Sequence, residues 1–391
     1  MPESFIPLSV PNLNGRELEL VSDAIRTGWV STAGKYVADF EGALAQYVHA
    51  DKAVSCQSGT AGLHISLLLC GVKAMDYVLV PTLTFIAAVN PVRYIGADPI
   101  FMDCDDSLCL DPDKLEKFCQ EECYMQNDQL YHATSKRRIP ALVVVHVFGN
   151  MANMPRIIDI AQRYNLKVVE DATEALGTHY KKDHPIFPGR FAGTMGDFGV
   201  YSFNGNKIIT TGGGGMILAK KECDIQKAKH LTTQAKSDEL NFLHDEVGYN
   251  YRLTNLQAAL GLAQLEQLES FINTKTENYK VYYQAVSSMD EVSILDFCHD
   301  IRSNLWFYSL FIKNPKRYPR DQVISAFHAH GIQTRPIWGL IHQQVPYLGS
   351  EEYLLEKAPF YAERVVNIPC STNLTLEEVQ RVVSVIKKIF S

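Results

Sequence analysis

The chain has 391 residues, 46% of them hydrophobic, and a formal net charge of −7. That length buries a large core and leaves room for two domains. The absence of a long Lys/Arg run argues against nucleic acid as a partner, and no apolar stretch approaches the roughly 18 residues that a membrane helix needs. The first fifteen residues, MPESFIPLSVPNLNG, lack a basic region followed by an apolar one, so no signal peptide is expected. The nine cysteines are odd in number and form no Cys-x-x-Cys spacing. They predict free thiols in a reducing compartment, a cytoplasmic location and no structural zinc.

In chain order, the first two-thirds alternate strands and helices. KAVSCQ (52–57) reads as a short strand, followed by the helix SGTAGLHISLLLCG closed by Gly71. YVLVP (77–81) is a second strand, TFIAAVNPVRYIG a second helix and DPIFMD (98–103) a third strand. ALVVVHVFG (141–149) and LKVVED (166–171) are further apolar strands around the helix MPRIIDIAQRYN, and DFGVYSFN (197–204) is one more. Short, nearly continuous apolar strands separated by helices predict an α/β fold with a mostly parallel sheet covered on both faces. From about residue 250 the texture changes. LTNLQAALGLAQLEQLESFINTKTENYKVYYQAV reads as one long connecting helix, with leucines three and four apart. A smaller α+β region follows, with the strand LWFYSLFI (305–312), the helix RDQVISAFHAHG and a last helix from Thr375, where Thr375 and Glu378 spell a capping box. The expected division is a large domain over 1–250 and a connecting helix with a small domain over 251–391.

The stretch FNGNKIITTGGGGMI (203–217) is the most unusual. A P-loop needs its lysine after the glycines, and Lys207 precedes them. A G-x-G-x-x-G fingerprint fails in both frames, ending at Ile217 or Leu218. The glycines therefore read as a close-packed turn, and attention falls on Lys207. It follows a strand end, and 36 residues upstream another strand ends in Glu170 and Asp171. In open α/β sheets the carboxyl ends of strands gather at the functional crevice. SGTAGLH offers a helix start for a phosphate, and Phe85 follows a third strand end. Pyridoxal 5′-phosphate (PLP) needs each of these: an amine for its aldehyde, a carboxylate for its ring nitrogen, N–H groups for its phosphate and a flat side chain for its ring.

The order SGTAGLH, PTLTF, EDATEALG, GDFGVYSFNGNKIITTGGGGM and GYNYRLTNLQAALGLAQL resembles the DegT–StrS sugar-nucleotide aminotransferases, fold-type-I PLP enzymes. The resemblance runs from PLSVPNLNG to NIPCSTNLT. It is nearest the branch that aminates UDP-linked 4-keto-6-deoxy N-acetyl sugars of bacillosamine or legionaminic type, for cell-surface glycans, with the GDP-perosamine synthases as near neighbours. It implies that Lys207 is the Schiff-base lysine and proton shuttle, and that Asp171 pairs with the ring nitrogen. Gly59, Thr60 and Ser202 would hold the phosphate, and Phe85 would stack on the ring. Glu174, where many members carry glutamine, would lie near the phenolic oxygen. Asn250 would reach the cofactor of the neighbouring subunit, making the active unit a homodimer with its sites at the interface. Arg252 and His342 match positions near the sugar nucleotide. The implied reaction moves an amino group from glutamate to the 4-keto sugar. Related dehydratases carry histidine at the lysine position, so Lys207 disfavours that alternative.

Overall fold

The computed structural model describes residues 5–391. Residues 1–4, the start of the segment read as no leader, lie outside the described residues. An eight-stranded sheet forms the centre, in the order Val54–Cys56, Gly215–Ala219, Phe198–Ser202, Lys167–Asp171, Ala141–Val145, Tyr77–Pro81, Asp98–Met102, Glu351–Tyr353. From Phe198–Ser202 to Glu351–Tyr353 every neighbouring pair is parallel, whereas Gly215–Ala219 runs antiparallel to both of its neighbours. The inner strands are buried along their length, as at Val78, Leu79 and Val80, and at Leu142, Val143 and Val144. That burial explains their unbroken apolar sequences. From Tyr77–Pro81 the strand order runs outward in both directions, so the strand ends beside it frame a topological switch point.

A second, antiparallel sheet joins Val292–Ile294, Tyr308–Ile312, Val365–Ile368 and Arg335–Pro336. The N-terminal segment runs beside it: Ile6 N–H donates to Gly331 O at 2.9 Å and Gln333 N–H to Ile6 O at 2.9 Å. The capping box at Thr375 is formed in both directions ahead of the helix Leu376–Ile389. No helix among the described residues is long and apolar enough to cross a membrane. All nine cysteines are free.

The structure departs from the sequence reading in several places. The second helix is broken into a 3₁₀ turn, Ile86–Ala88, and a short helix, Asn90–Tyr94. Pro91 explains the break, because it has no N–H to donate backwards and fits only a first turn. The long connecting helix is two helices, Asn255–Glu266 and Leu268–Val286. The first packs against the N-terminal helices Glu17–Arg26 and Lys35–Tyr47, the second against the small sheet and the last helix. At the junction Gln264 and Gln267 both donate to Glu17 Oε1 at 2.6 Å. The strand expected over 305–312 begins only at Tyr308, which frees Trp306 and Phe307 for another use. Glu351–Tyr353, with two exposed glutamates, adds a C-terminal strand to the edge of the large sheet.

Candidate functional site

Asp171 ends one parallel strand, Ser202 ends its neighbour, and Phe85 follows the end of a third. These ends open on a cavity of about 500 Å³. Gly59, Thr60, Phe85, Asp171, Glu174, Ser202 and Lys207 all line it. The small sheet supplies the opposite wall, with Arg335, Pro336, Ile337, Trp338 and Asn367.

Lys207 sits on an excursion between two paired strands. Ser202 and Gly215 pair across its base. Inside it, Phe203 N–H donates to Gly214 O and Thr211 N–H to Phe203 O, each at 2.9 Å. Gln257 donates from its side chain to Gly213 O at 2.7 Å. The glycine run closes this loop. Gly214 takes φ +145° and a Cβ there would stand 2.4 Å from Thr211 Oγ1, while a Cβ on Gly215 would meet the backbone of Ser58 at 2.6 Å. The glycines thus let the loop pass directly over the helix start at Ser58, as the sequence reading expects of a close-packed turn.

The Lys207 amine lies 3.8 Å from Glu174 Oε1 and 4.1 Å from the centre of the Trp306 ring. Glu174 Oε2 accepts from Phe148 N–H at 2.9 Å. Burial holds the Lys207 amine below the usual lysine value, against the opposite pull of Glu174 and Asp171. Burial also pushes the Glu174 carboxyl up to about 7, opposed by Lys207 and the Phe148 N–H. Asp171 is raised by burial as well, opposed by its bond from Thr173 and by Lys207 and His146. Removing water therefore drives all three groups toward their neutral forms.

The neighbouring Glu170 faces away from this cavity. It accepts from His146 Nε2 at 2.9 Å, from Gly193 N–H at 2.8 Å and from Met195 N–H at 2.6 Å. It pins residues 193–196 to the strand end, and Ala192 N–H closes back on Thr178 O at 3.0 Å.

Three predicted residues lie outside the lining of this cavity. Asn250 is exposed and bridges Thr233. Arg252 donates to Thr32 O at 2.8 Å. His342 bonds Thr82 Oγ1 through Nδ1 at 2.6 Å, and burial lowers its basicity. Sequence reasoning missed Trp306, Phe307, Arg335 and Trp338. The aromatic run LWF was a signal, but it was absorbed into an expected strand.

The residues present fit PLP. Gly59 must be bare, because a Cβ there would stand 2.9 Å from Ser202 Cβ and 3.0 Å from Thr173 Cγ2. The hydroxyl of Ser58 is occupied by Ala61 N–H at 3.1 Å. The first-turn N–H groups at Gly59 and Thr60 have no partners within the helix, which suits a phosphate dianion. Asp171 is a buried carboxylate on the cavity wall, and Phe85, 56% exposed, is a large aromatic left uncovered beside it.

Comparison with known proteins gives a consistent picture. A family model described as the DegT/DnrJ/EryC1/StrS aminotransferase family matches residues 11–387. The chain is 33% identical to the GDP-perosamine synthase of Escherichia coli O157:H7, over 99% of each chain. It is likewise 33% identical to that of Caulobacter vibrioides, over 98% of each. Among solved structures, the sugar aminotransferase CalS13 of Micromonospora echinospora superposes with a TM-score of 0.84 at 26% identity, over 98% of this chain and 99% of that one.

Proposed function

The chain belongs to the DegT/DnrJ/EryC1/StrS aminotransferase family, whose members depend on PLP, and from that premise we propose that it carries an amino group from glutamate to the 4-keto carbon of a nucleotide-linked 6-deoxy sugar. The observation that carries this reading is the meeting of Lys207, Asp171 and the bare helix start at Gly59 on one cavity.

When bound, PLP supplies an aldehyde that carries the amino group and a ring that draws electrons from the reacting carbon. Asp171 would hold a proton at the ring nitrogen, and its burial makes that bond strong. The first-turn N–H groups of Gly59 and Thr60, with Ser202, would hold the phosphate. Phe85 would cover one ring face. Lys207 Nζ takes a proton from the donor's amino-bearing carbon and returns one in the second half of the transfer. A base must be neutral to do so, and burial keeps this amine closer to neutral than a solvated lysine. Glu174, pushed up to about 7, offers a second proton site 3.8 Å from Nζ.

The active unit is a homodimer in this reading. Leu240 and Phe242, on the hairpin Lys236–His244, and Val247 just after it are 85%, 72% and 82% exposed ahead of Asn250, apolar side chains that a second copy would cover. Asn250 would then complete the partner's site. Mixing inactive Lys207→Ala and Asn250→Ala proteins should restore part of the activity.

Two sugar nucleotides compete. The motif resemblance favours a UDP-linked 2-acetamido-2,6-dideoxy-4-keto sugar. The names of the two relatives at 33% identity favour a GDP-linked one. Turnover of a panel of UDP-, GDP- and dTDP-linked 4-keto sugars with glutamate decides between them. Lys207→Ala should abolish both turnover and the visible absorption of the bound cofactor, and a variant with normal activity would refute the assignment.

A further inference from the structure

We propose that Trp306 is a positioning residue for Lys207, holding its free amine with the ring face and its backbone with the indole N–H. The ring centre lies 4.1 Å from Lys207 Nζ, within the range of a cation–π attraction. The indole Nε1–H donates to the carbonyl of Asn206, the residue before the lysine, at 2.8 Å. One side chain therefore grips both ends of the lysine's attachment.

Trp306 is itself fixed from several sides. Its N–H donates to Asn304 Oδ1 at 3.0 Å, and its carbonyl accepts from the buried Lys275 amine at 3.1 Å. Its ring packs on Phe307, with centres 4.2 Å apart. Asn304 also donates from Nδ2 to the carbonyls of Glu174 and Leu176, each at 2.9 Å. Both groups that meet the Lys207 amine, the Glu174 carboxyl and the Trp306 ring, thus hang from one buried amide. The ring face favours the ammonium, whereas burial favours the neutral amine. Glu174 and Asp171 are the charged groups acting on that balance. Trp306 supplies a resting place in which the amine, when not bonded to the cofactor, stays aimed at the reacting carbon.

The inference rests on Lys207 being the cofactor lysine. The test uses full-length enzyme loaded with pyridoxamine phosphate, in which Lys207 is free. Acylation of Lys207 is followed against pH by peptide mass spectrometry, with steady-state kinetics alongside. Trp306→Leu removes ring and N–H. Its labelling midpoint should fall by about 0.5 to 1 pH unit, from a cation–π attraction at the weaker half of its usual range. Its kcat should fall about tenfold or more, as expected when a reacting group is misplaced, with KM little changed. Trp306→Phe keeps a ring face and loses the N–H. It should keep the labelling midpoint and still lose several-fold in kcat. A folded Trp306→Leu with the wild-type midpoint, or a Trp306→Phe with the wild-type kcat, overturns the proposal. The reading of Lys207 fails separately if wild-type enzyme labels there equally well with the aldehyde form of the cofactor bound.

Discussion

Replacing Glu174 by glutamine tests the electrostatic account of the site without relying on turnover. The carboxyl is buried, and its ionisation is moved from 4.5 to about 7 in the folded chain. At about 1.4 kcal/mol per pH unit, that makes the ionised form about 3 kcal/mol more costly in the folded than in the unfolded state. The sign follows from linkage. A carboxyl raised on folding binds its proton more tightly in the native state, so its contribution is fully present below pH 4.5 and is lost as pH rises through about 7. Glutamine has nearly the same shape, can still accept from Phe148 N–H and does not titrate. Near pH 5 cofactor-free Glu174→Gln should therefore exceed wild type by only about 1 kcal/mol in urea unfolding. The variant should gain stability between pH 5 and 8, levelling off at about 3 kcal/mol. Urea melts at pH 5, 6, 7 and 8.5, at one protein concentration, measure this. A difference that stays flat, or a variant that loses stability toward pH 8.5, would refute the reasoning.

Other perturbations probe separate parts of the molecule. Asp103 is fully buried and accepts from the N–H groups of Glu356, Lys357 and Ala358 at 2.7–2.8 Å, and from Lys114 Nζ at 2.6 Å. Asp103→Ala should cost about 3 kcal/mol in urea unfolding, because it leaves three N–H groups without their acceptor and removes one of the three partners of the Lys114 ammonium, which keeps Glu356 Oε2 and Leu354 O. Gly59→Ala should raise the dissociation constant for PLP about tenfold or more in a fluorescence titration, since its Cβ meets Ser202 and Thr173. Arg335 is a cation on the small-sheet wall of the cavity. Arg335→Gln should raise KM about tenfold for whichever co-substrate places an anion there, with the cofactor absorption unchanged.

Much of this architecture is legible in the sequence because it rests on local rules. The central strands bury both faces, so each is a continuous apolar run. Thr375 and Glu378 satisfy each other across three residues. Lys207 and Asp171 stand out because each follows or ends such a strand, where a solvated or capping role would not require apolar flanks. What escaped the sequence depends on partners far along the chain. Asn304 reaches a carbonyl 130 residues away at Glu174, and Trp306 reaches one 100 residues away at Asn206. No periodicity encodes either pairing. Glu351–Tyr353 escaped for the opposite reason: an edge strand with two exposed residues needs no apolar pattern. The break at Gln267 involves neither proline nor glycine, and it follows from the two halves packing against different layers.

The adjacent acids Glu170 and Asp171 show how much a single residue of register decides. Successive side chains on a strand point to opposite faces. Asp171 therefore reaches the cavity with Lys207, while Glu170 turns behind the sheet toward His146 and the N–H groups of Gly193, Met195 and Gly196. The sequence marks both acids as equally placed at a strand end, and either could have served a cofactor. The pattern of partners separates them. Glu170 accepts four hydrogen bonds, one from His146 and three that tie down residues 193–196. Asp171 accepts only from Thr173 N–H among the described hydrogen bonds and keeps acceptor capacity toward the cavity. A buried carboxylate that is incompletely satisfied costs stability. A cationic N–H donor entering this cavity would offset that cost, and the nitrogen of a protonated pyridine ring is such a donor. The same strand end thus anchors a long surface loop with one acid and leaves the next acid ready for a ligand.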